Sequence, residues 1–122
     1  MSRRILITGV TGSGGSYLAE HILKKRGVEV IGLVRNKNKL KNKNIKNLLK
    51  NKNFSIKQAN LSNLNKLKVL INRVKPQIIF HLASNADVRK SFFYPYNIVK
   101  GNNICTLTLL EAVRLATINP RI

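Results

Sequence analysis

Three short, mostly apolar runs, Ile5-Leu-Ile7, Val28 to Val34 and Ile78 to Ala83, and a shorter mixed stretch, Phe54 to Ala59, set the frame of this chain. The apolar runs predict strands buried on both faces, as in a parallel sheet, over Arg4–Thr8, Val28–Val34 and Ile78–Ala83, and Phe54–Ala59 reads as a short third strand. Between them the apolar spacing changes to that of helices. Leu18, Ile22 and Leu23 share one face of a helix over Ser16–Arg26. Leu64, Leu67, Leu70, Ile71 and Val74 form a second stripe, with Ser62 or Asn63 placed to cap it and Pro76 marking its end. A last helix spans Asn97–Ala116, with Leu107, Leu110 and Val113 among its apolar positions. Strands alternating with helices make a layered α/β fold with right-handed crossovers, an open doubly wound parallel sheet of about four βα units.

The joint between the first strand and the first helix carries the main chemical signal. Gly9-Val-Thr-Gly12-Ser-Gly-Gly15 places three glycines where a strand must turn sharply into a helix, let a pyrophosphate approach the backbone, and pack helix on strand. Gly9, Gly12 and Gly15 are those positions. The unpaired N–H groups and the positive dipole end of the helix would then hold the phosphates. A ligand-free glycine turn is the plainer alternative, and the strand before, the helix after and the second strand at βαβ distance weigh against it. The expected architecture is therefore a Rossmann-like cofactor-binding domain over residues 1–122.

Composition changes this picture little. The chain has 122 residues, 43% of them hydrophobic, which suffices for one domain with its own core. Its single cysteine, Cys105, excludes an internal disulfide, and no apolar run reaches the ~18 residues of a spanning helix. Without an apolar leader before the first strand the protein reads as cytoplasmic, with no membrane partner. Charge is unusual, with 23 Lys and Arg against 4 Asp and Glu for a net +19. Much of the excess lies between Asn36 and Asn53, a Lys/Asn tract in which Leu40, Ile45, Leu48 and Leu49 can form one poorly amphipathic helix. Both residue types use A/T-rich codons, so the tract points to genome bias. With no aromatic platform or helix-turn-helix pattern beside it, no specific nucleic-acid partner is expected, only salt-sensitive attraction to polyanions.

The segment Ile5-Leu-Ile-Thr-Gly-Val-Thr-Gly-Ser-Gly-Gly-Ser-Tyr-Leu-Ala-Glu20 resembles the amino-terminal fingerprint of extended short-chain dehydrogenases/reductases, above all GDP-mannose 4,6-dehydratases and related nucleotide-sugar dehydratases and epimerases. Val30-Ile-Gly-Leu-Val-Arg35, Asn60-Leu61, His81-Leu-Ala-Ser-Asn-Ala-Asp-Val-Arg-Lys-Ser-Phe92 and Leu109-Leu-Glu-Ala-Val-Arg114 follow in the family's order and spacing. The resemblance implies a cofactor pyrophosphate on Gly9 to Gly15, with Thr11, Ser13 and Gly14 in the loop. It places Arg35 at the cofactor-selecting position after the second strand. An acid there would accept from a ribose 2′-hydroxyl, whereas a guanidinium pairs with a 2′-phosphate, so NADP is expected over NAD. Asn60-Leu61 stands where the family has Asp-Leu against the adenine. Leu82, Ala83 and Ser84 would pass beneath the nicotinamide-side ribose. The plainer readings are a solvated cation for Arg35 and ordinary core strand for Leu82.

The same resemblance implies a nucleotide sugar as substrate of the whole protein. It implies a reaction in which a hydride leaves the sugar C4 for NADP, water is eliminated across C5 and C6, and the hydride returns to C6. That chemistry needs a Tyr of lowered pKa, a Lys beside it, a Ser or Thr and a carboxylate. In the family these follow a fifth strand, which would begin about where this chain ends, so no catalytic residue is assigned and the chain by itself is expected to be inactive. Tyr96-Asn-Ile-Val-Lys100 has the literal Tyr-x-x-x-Lys spacing but falls one βα unit too early. The strand order 3-2-1-4 that the resemblance implies leaves the fourth-strand edge open, which predicts self-association, and the last helix resembles one used in family dimers, which implies a homo-oligomer. His21 and His81 lack a second ligand at metal spacing and read as structural, so no metal is expected. Cys105 reads as a small apolar residue.

Overall fold

The computed structural model describes residues 2–36, 43–84 and 87–122, and in it the apolar runs form one sheet. β1 (Arg3–Thr8), β2 (Val28–Val34), β3 (Phe54–Gln58) and β4 (Ile78–His81) are all parallel and lie in the order β3-β2-β1-β4. The strand period of two sorts their side chains cleanly. Ile5, Ile7, Val30 and Val34 join a core with Ala19 and Ile22 of α1 (Ser13–Leu23) and Ile45 and Leu48 of α2 (Lys43–Leu49). Leu6, Ile31, Leu33 and Ile79 point the other way, onto Leu67, Ile71 and Val74 of α3 (Leu64–Val74) and Leu109 and Ala112 of α5 (Pro95–Leu115). A short α4 (Val88–Phe93) precedes α5.

The strand order switches at β1, with β2 and β3 laid down on one side of it and β4 on the other. The helices following β1 and β2 cover one face, and those following β3 and β4 cover the other. The neighbours β1 and β4 therefore send their chains to opposite faces and leave a crevice between their carboxyl ends.

Several boundaries differ from the sequence expectation for identifiable reasons. α1 runs Ser13–Leu23, three residues earlier than expected at both ends, because Gly12, extended at φ −73 and ψ 164, is its N-cap. At the far end Gly27 takes φ +72 and turns the chain so that its carbonyl accepts from the Arg3 N–H at 2.8 Å. Asn63, not Ser62, caps α3, its side chain accepting from Lys66 N at 3.1 Å. The expected loop after the fourth strand contains α4, capped by Asp87 accepting from Lys90 N at 3.0 Å. In α5, Leu107 and Leu110 are 65% and 46% exposed, a correction to the expected apolar face. The helix docks instead through Leu109, Ala112 and the following Ala116, whose small alanines permit close approach to α3 and the sheet. Leu40 of the Lys/Asn tract, and Asn85 and Ala86 of the motif after β4, lie outside the described residues.

The outer edge of β4 is not bare. Arg121 bridges Ile78 in parallel, with Ile79 N donating to Arg121 O at 2.8 Å and Arg121 N to Gln77 O at 3.0 Å. No helix among the described residues is long and apolar enough to cross a membrane.

Burial sets the expected cost of truncating a leucine on either helix layer. Leu67 is fully buried, whereas Leu49 on α2 is 46% exposed. Leu67→Ala should therefore cost about 2–4 kcal/mol in urea unfolding, and Leu49→Ala under about 1 kcal/mol.

Candidate cofactor site

Every residue singled out for cofactor contact follows the carboxyl end of a strand: Gly9 to Gly15 after β1, Arg35 after β2, Asn60 and Leu61 after β3, and Leu82 to Ser84 after β4. Parallel pairing puts these ends on one edge of the sheet.

The glycines at the crevice do different work. Gly9 has φ +71, a conformation L side chains rarely adopt, and a Cβ there would meet Ala83 N and Leu82 C at 2.7 Å. A Cβ on Gly15 would overlap the Gly9 carbonyl oxygen and lie 2.8 Å from Val10 Cα. Both glycines thus exist for backbone-on-backbone contact within the fold. Gly12 is looser, its added Cβ meeting only the Gly9 oxygen at 3.4 Å, and nothing lies within 4 Å of one on Gly14. Those two are exposed, together with Ser13, while Thr11 is partly buried.

The turn is closed by Gly12 N donating to Gly9 O at 3.1 Å, and α1 begins with Ser16 N donating to Gly12 O at 3.0 Å. Residues 13–15 therefore open the helix, where N–H groups have no intrahelical acceptor. The first turn carries no acid and the cap makes no side-chain hydrogen bond. Such an end attracts an anion.

Around this loop the other candidates take defined positions. Arg35 is exposed immediately after β2, and its carbonyl accepts from Gln58 Nε2 at 3.4 Å. Asn60 closes a local turn, its amide oxygen accepting from Ser62 N at 3.0 Å and Ser62 Oγ at 2.8 Å. Its amino group, which an Asp would lack, is the part not used by that turn. Leu61 packs partly against the α3-side core. Leu82 is 45% exposed, Ala83 partly buried and Ser84 exposed.

Three polar residues of this region were not singled out for the site from sequence. Thr8 is fully buried, and its hydroxyl oxygen accepts from Leu82 N and Ala83 N, each at 3.1 Å. The same oxygen lies 2.7 Å from His81 Nδ1, and His81 Nε2 lies 3.1 Å from Thr106 Oγ1 on α5. Burial pushes the His81 pKa below the ordinary imidazole value. The available signal was parity, since Thr8 and His81 stand two residues beyond Leu6 and Ile79 and so share their face of the sheet.

Remaining candidates fall outside the crevice. His21 is exposed on α1, Cys105 is a partly buried free thiol, and no metal-binding group of three or more His, Cys, Asp or Glu occurs among the described residues. Lys100 Nζ sits 5.7 Å from the centroid of the Tyr96 ring, a surface cation–π contact on a tyrosine 73% exposed.

A parallel sheet in this order, with a glycine turn after β1 at the point where the strand order switches, is the Rossmann-like fold of the epimerase/dehydratase class of extended short-chain dehydrogenases/reductases. Within that class the family model described as GDP-mannose 4,6 dehydratase matches residues 6–122, and the chain belongs to this family. The human GDP-mannose 4,6 dehydratase is 37% identical over 115 residues, covering 89% of this chain and 31% of that protein. The GDP-mannose 4,6-dehydratase of Vibrio cholerae is 34% identical over 120 residues, covering 94% and 32%. Among solved structures, the UDP-Glc/GlcNAc 4-epimerase of Campylobacter jejuni superposes with a TM-score of 0.81 at 26% identity, covering 97% of this chain and 35% of that one. The UDP-glucuronic acid 4-epimerase of Bacillus cereus, in complex with UDP-glucuronic acid and NAD, gives 0.78 at 29% identity, covering 95% and 38%. The chain thus spans about a third of the length of the curated relatives it matches.

Proposed function

We propose that residues 1–122 form the NADP-binding part of a nucleotide-sugar 4,6-dehydratase, and that the steps of sugar chemistry lie outside these residues. The observation that carries this reading is the contact of Gly9 with the Leu82–Ala83 peptide, which joins the glycine turn to the end of β4 at the crevice. A cofactor there would lay its pyrophosphate on the first turn of α1 and its 2′-phosphate on Arg35. The adenine would lie by Asn60 and Leu61, and the nicotinamide-side ribose over Leu82, Ala83 and Ser84. Because the Asn60 oxygen is engaged by Ser62, the Asn60 amino group is the better partner, donating to a ring nitrogen of the adenine. When bound, the nicotinamide supplies the site for a reversible hydride transfer. The residues of this chain bind and orient it.

Isothermal titration tests the reading. The chain should bind NADPH more tightly than NADH, and Gly12→Val should weaken NADPH at least ~10-fold with little change in unfolding. The valine's Cβ finds room within the fold, and its methyl groups stand where the phosphates approach. NADPH binding unchanged by Gly12→Val would remove the glycine loop from the site.

A second reading, a 4-epimerase, draws on the likeness to the two epimerase structures, one of them solved with NAD. Preference for NADH in the same titration would favour it.

A further inference from the structure

Counting protons around Thr8 assigns a role to His81. A hydroxyl oxygen has two lone pairs and one proton. Both lone pairs of the Thr8 oxygen are taken by the Leu82 and Ala83 N–H groups at 3.1 Å. The remaining proton must therefore point along the 2.7 Å contact to His81 Nδ1, which accepts it only if that nitrogen is bare. A neutral imidazole with a bare Nδ1 carries its proton on Nε2, and that proton meets Thr106 Oγ1 at 3.1 Å. The chain of donors then runs in one direction, from the imidazole to α5 and from Thr8 to the imidazole.

What this network holds is the floor of the crevice. Leu82 N also donates to the Thr8 carbonyl at 3.2 Å, so the Leu82 amide is shared between the carbonyl and hydroxyl of one residue. The adjoining peptide is the one on which Gly9 packs, with no room for a Cβ. Thr8 and His81 are register partners across β1 and β4, so their side chains stand beside each other on the α5 face. Rotation of the Thr8 side chain would leave Ala83 N without this acceptor and Leu82 N on the Thr8 carbonyl alone, loosening the end of β4 at the place where the glycine turn leans on it.

We propose that His81 is a positioning residue: held as the Nε2–H tautomer between Thr8 and Thr106, it fixes the Thr8 hydroxyl so that Leu82 and Ala83 stay pinned beneath the cofactor. The role at the cofactor rests on the reading of the crevice as a cofactor site, whereas the pinning itself does not.

The test is made on the 122-residue chain without ligand. In ¹⁵N-detected spectra at neutral pH, His81 Nδ1 should resonate as an unprotonated nitrogen and Nε2 as a protonated one. His81→Leu keeps bulk but offers no acceptor, and should speed amide exchange at Leu82 and Ala83 ~10-fold, the effect of one lost hydrogen bond, while Leu67 and Ile31 exchange as before. His81→Asn can present its Oδ1 where Nδ1 stands, and should restore most of the protection. A protonated Nδ1, or unchanged exchange at both amides in the leucine variant, would overturn the proposal. NADPH titration of the same variants separates the two readings. Weakened binding in the leucine variant and recovery in the asparagine variant extend the role to the cofactor. Absence of NADPH binding by the parent chain would sink the cofactor reading and leave the pinning decided by tautomer and exchange.

Discussion

Gly15→Ala is expected to unfold the chain or leave it only marginally folded, whereas Gly14→Ala, one residue away, should leave stability within about 0.5 kcal/mol of the parent or slightly higher. The two residues share a helix turn and differ only in what a methyl group would meet. At Gly15 it would overlap the Gly9 carbonyl oxygen and crowd Val10 Cα at 2.8 Å, and neither atom can move without displacing the β1–α1 joint. Gly9 cannot yield, because its own φ of +71 and its contact with the Leu82–Ala83 peptide fix it from the other side. The overlap must therefore be relieved by moving α1 off the sheet, which opens the Ala19 and Ile22 contacts of the core. Loss of several such contacts, together with overpacking, costs about 3–5 kcal/mol, a large share of what holds a domain of this size. At Gly14 the methyl group meets nothing within 4 Å, and alanine is the better helix former. Urea unfolding followed by circular dichroism measures both variants. Equal loss in the two would mean that helix-start backbone freedom, not close packing, is what the glycines provide.

That difference between neighbouring glycines was not legible in the sequence, although the loop itself was. A glycine pattern between a strand and a helix announces a turn that must be bare. Which glycine meets backbone and which faces solvent depends on where β4 ends, some seventy residues later, an approximate separation set by the parallel crossover. The sheet was legible for a simpler reason. Ile5 to Ile7, Val28 to Val34 and Ile78 to Phe80 are apolar on both faces, which only a sheet covered on both sides can use.

Helix faces were read less well where both sides of a helix are apolar. Leu107, Leu109 and Leu110 look equivalent in sequence, yet only Leu109 lies against the core, because Ala112 and Ala116 define the side that can come close to α3. Helix ends moved by two or three residues where capping decided them, as at Gly12 and Pro95. Parity puts Thr8 and His81 on one face of the sheet, but spacing could not bring them together with each other or with Thr106. The members of this network come from β1, β4 and α5, and the link is the lateral pairing of Thr8 with His81.

Arg35→Asp should reverse the choice of cofactor, changing the NADPH-to-NADH affinity ratio by roughly 10²- to 10³-fold. Arg35 stands exposed just beyond β2, on the same sheet edge as the glycine turn. A guanidinium there can donate two parallel hydrogen bonds to a 2′-phosphate, and charge-assisted bonds of this kind are worth about 1.5–3 kcal/mol. The aspartate removes them and adds repulsion against the phosphate, while its carboxylate can accept from the 2′-hydroxyl of NADH. Each 1.4 kcal/mol is about tenfold in affinity, so loss and gain together span the stated range.

The field of a chain carrying +19 would also favour the more highly charged cofactor, and this must be separated from the site. Arg73→Asp is the control: it makes the same change in net charge on the exposed surface of α3. At about 0.15 M salt the screening length is ~8 Å, so a charge distant from the ligand loses most of its influence. Arg35→Asp should therefore reverse the preference where Arg73→Asp barely moves it. Equal shifts from the two substitutions would assign NADP selection to the overall field and leave Arg35 as one more solvated cation.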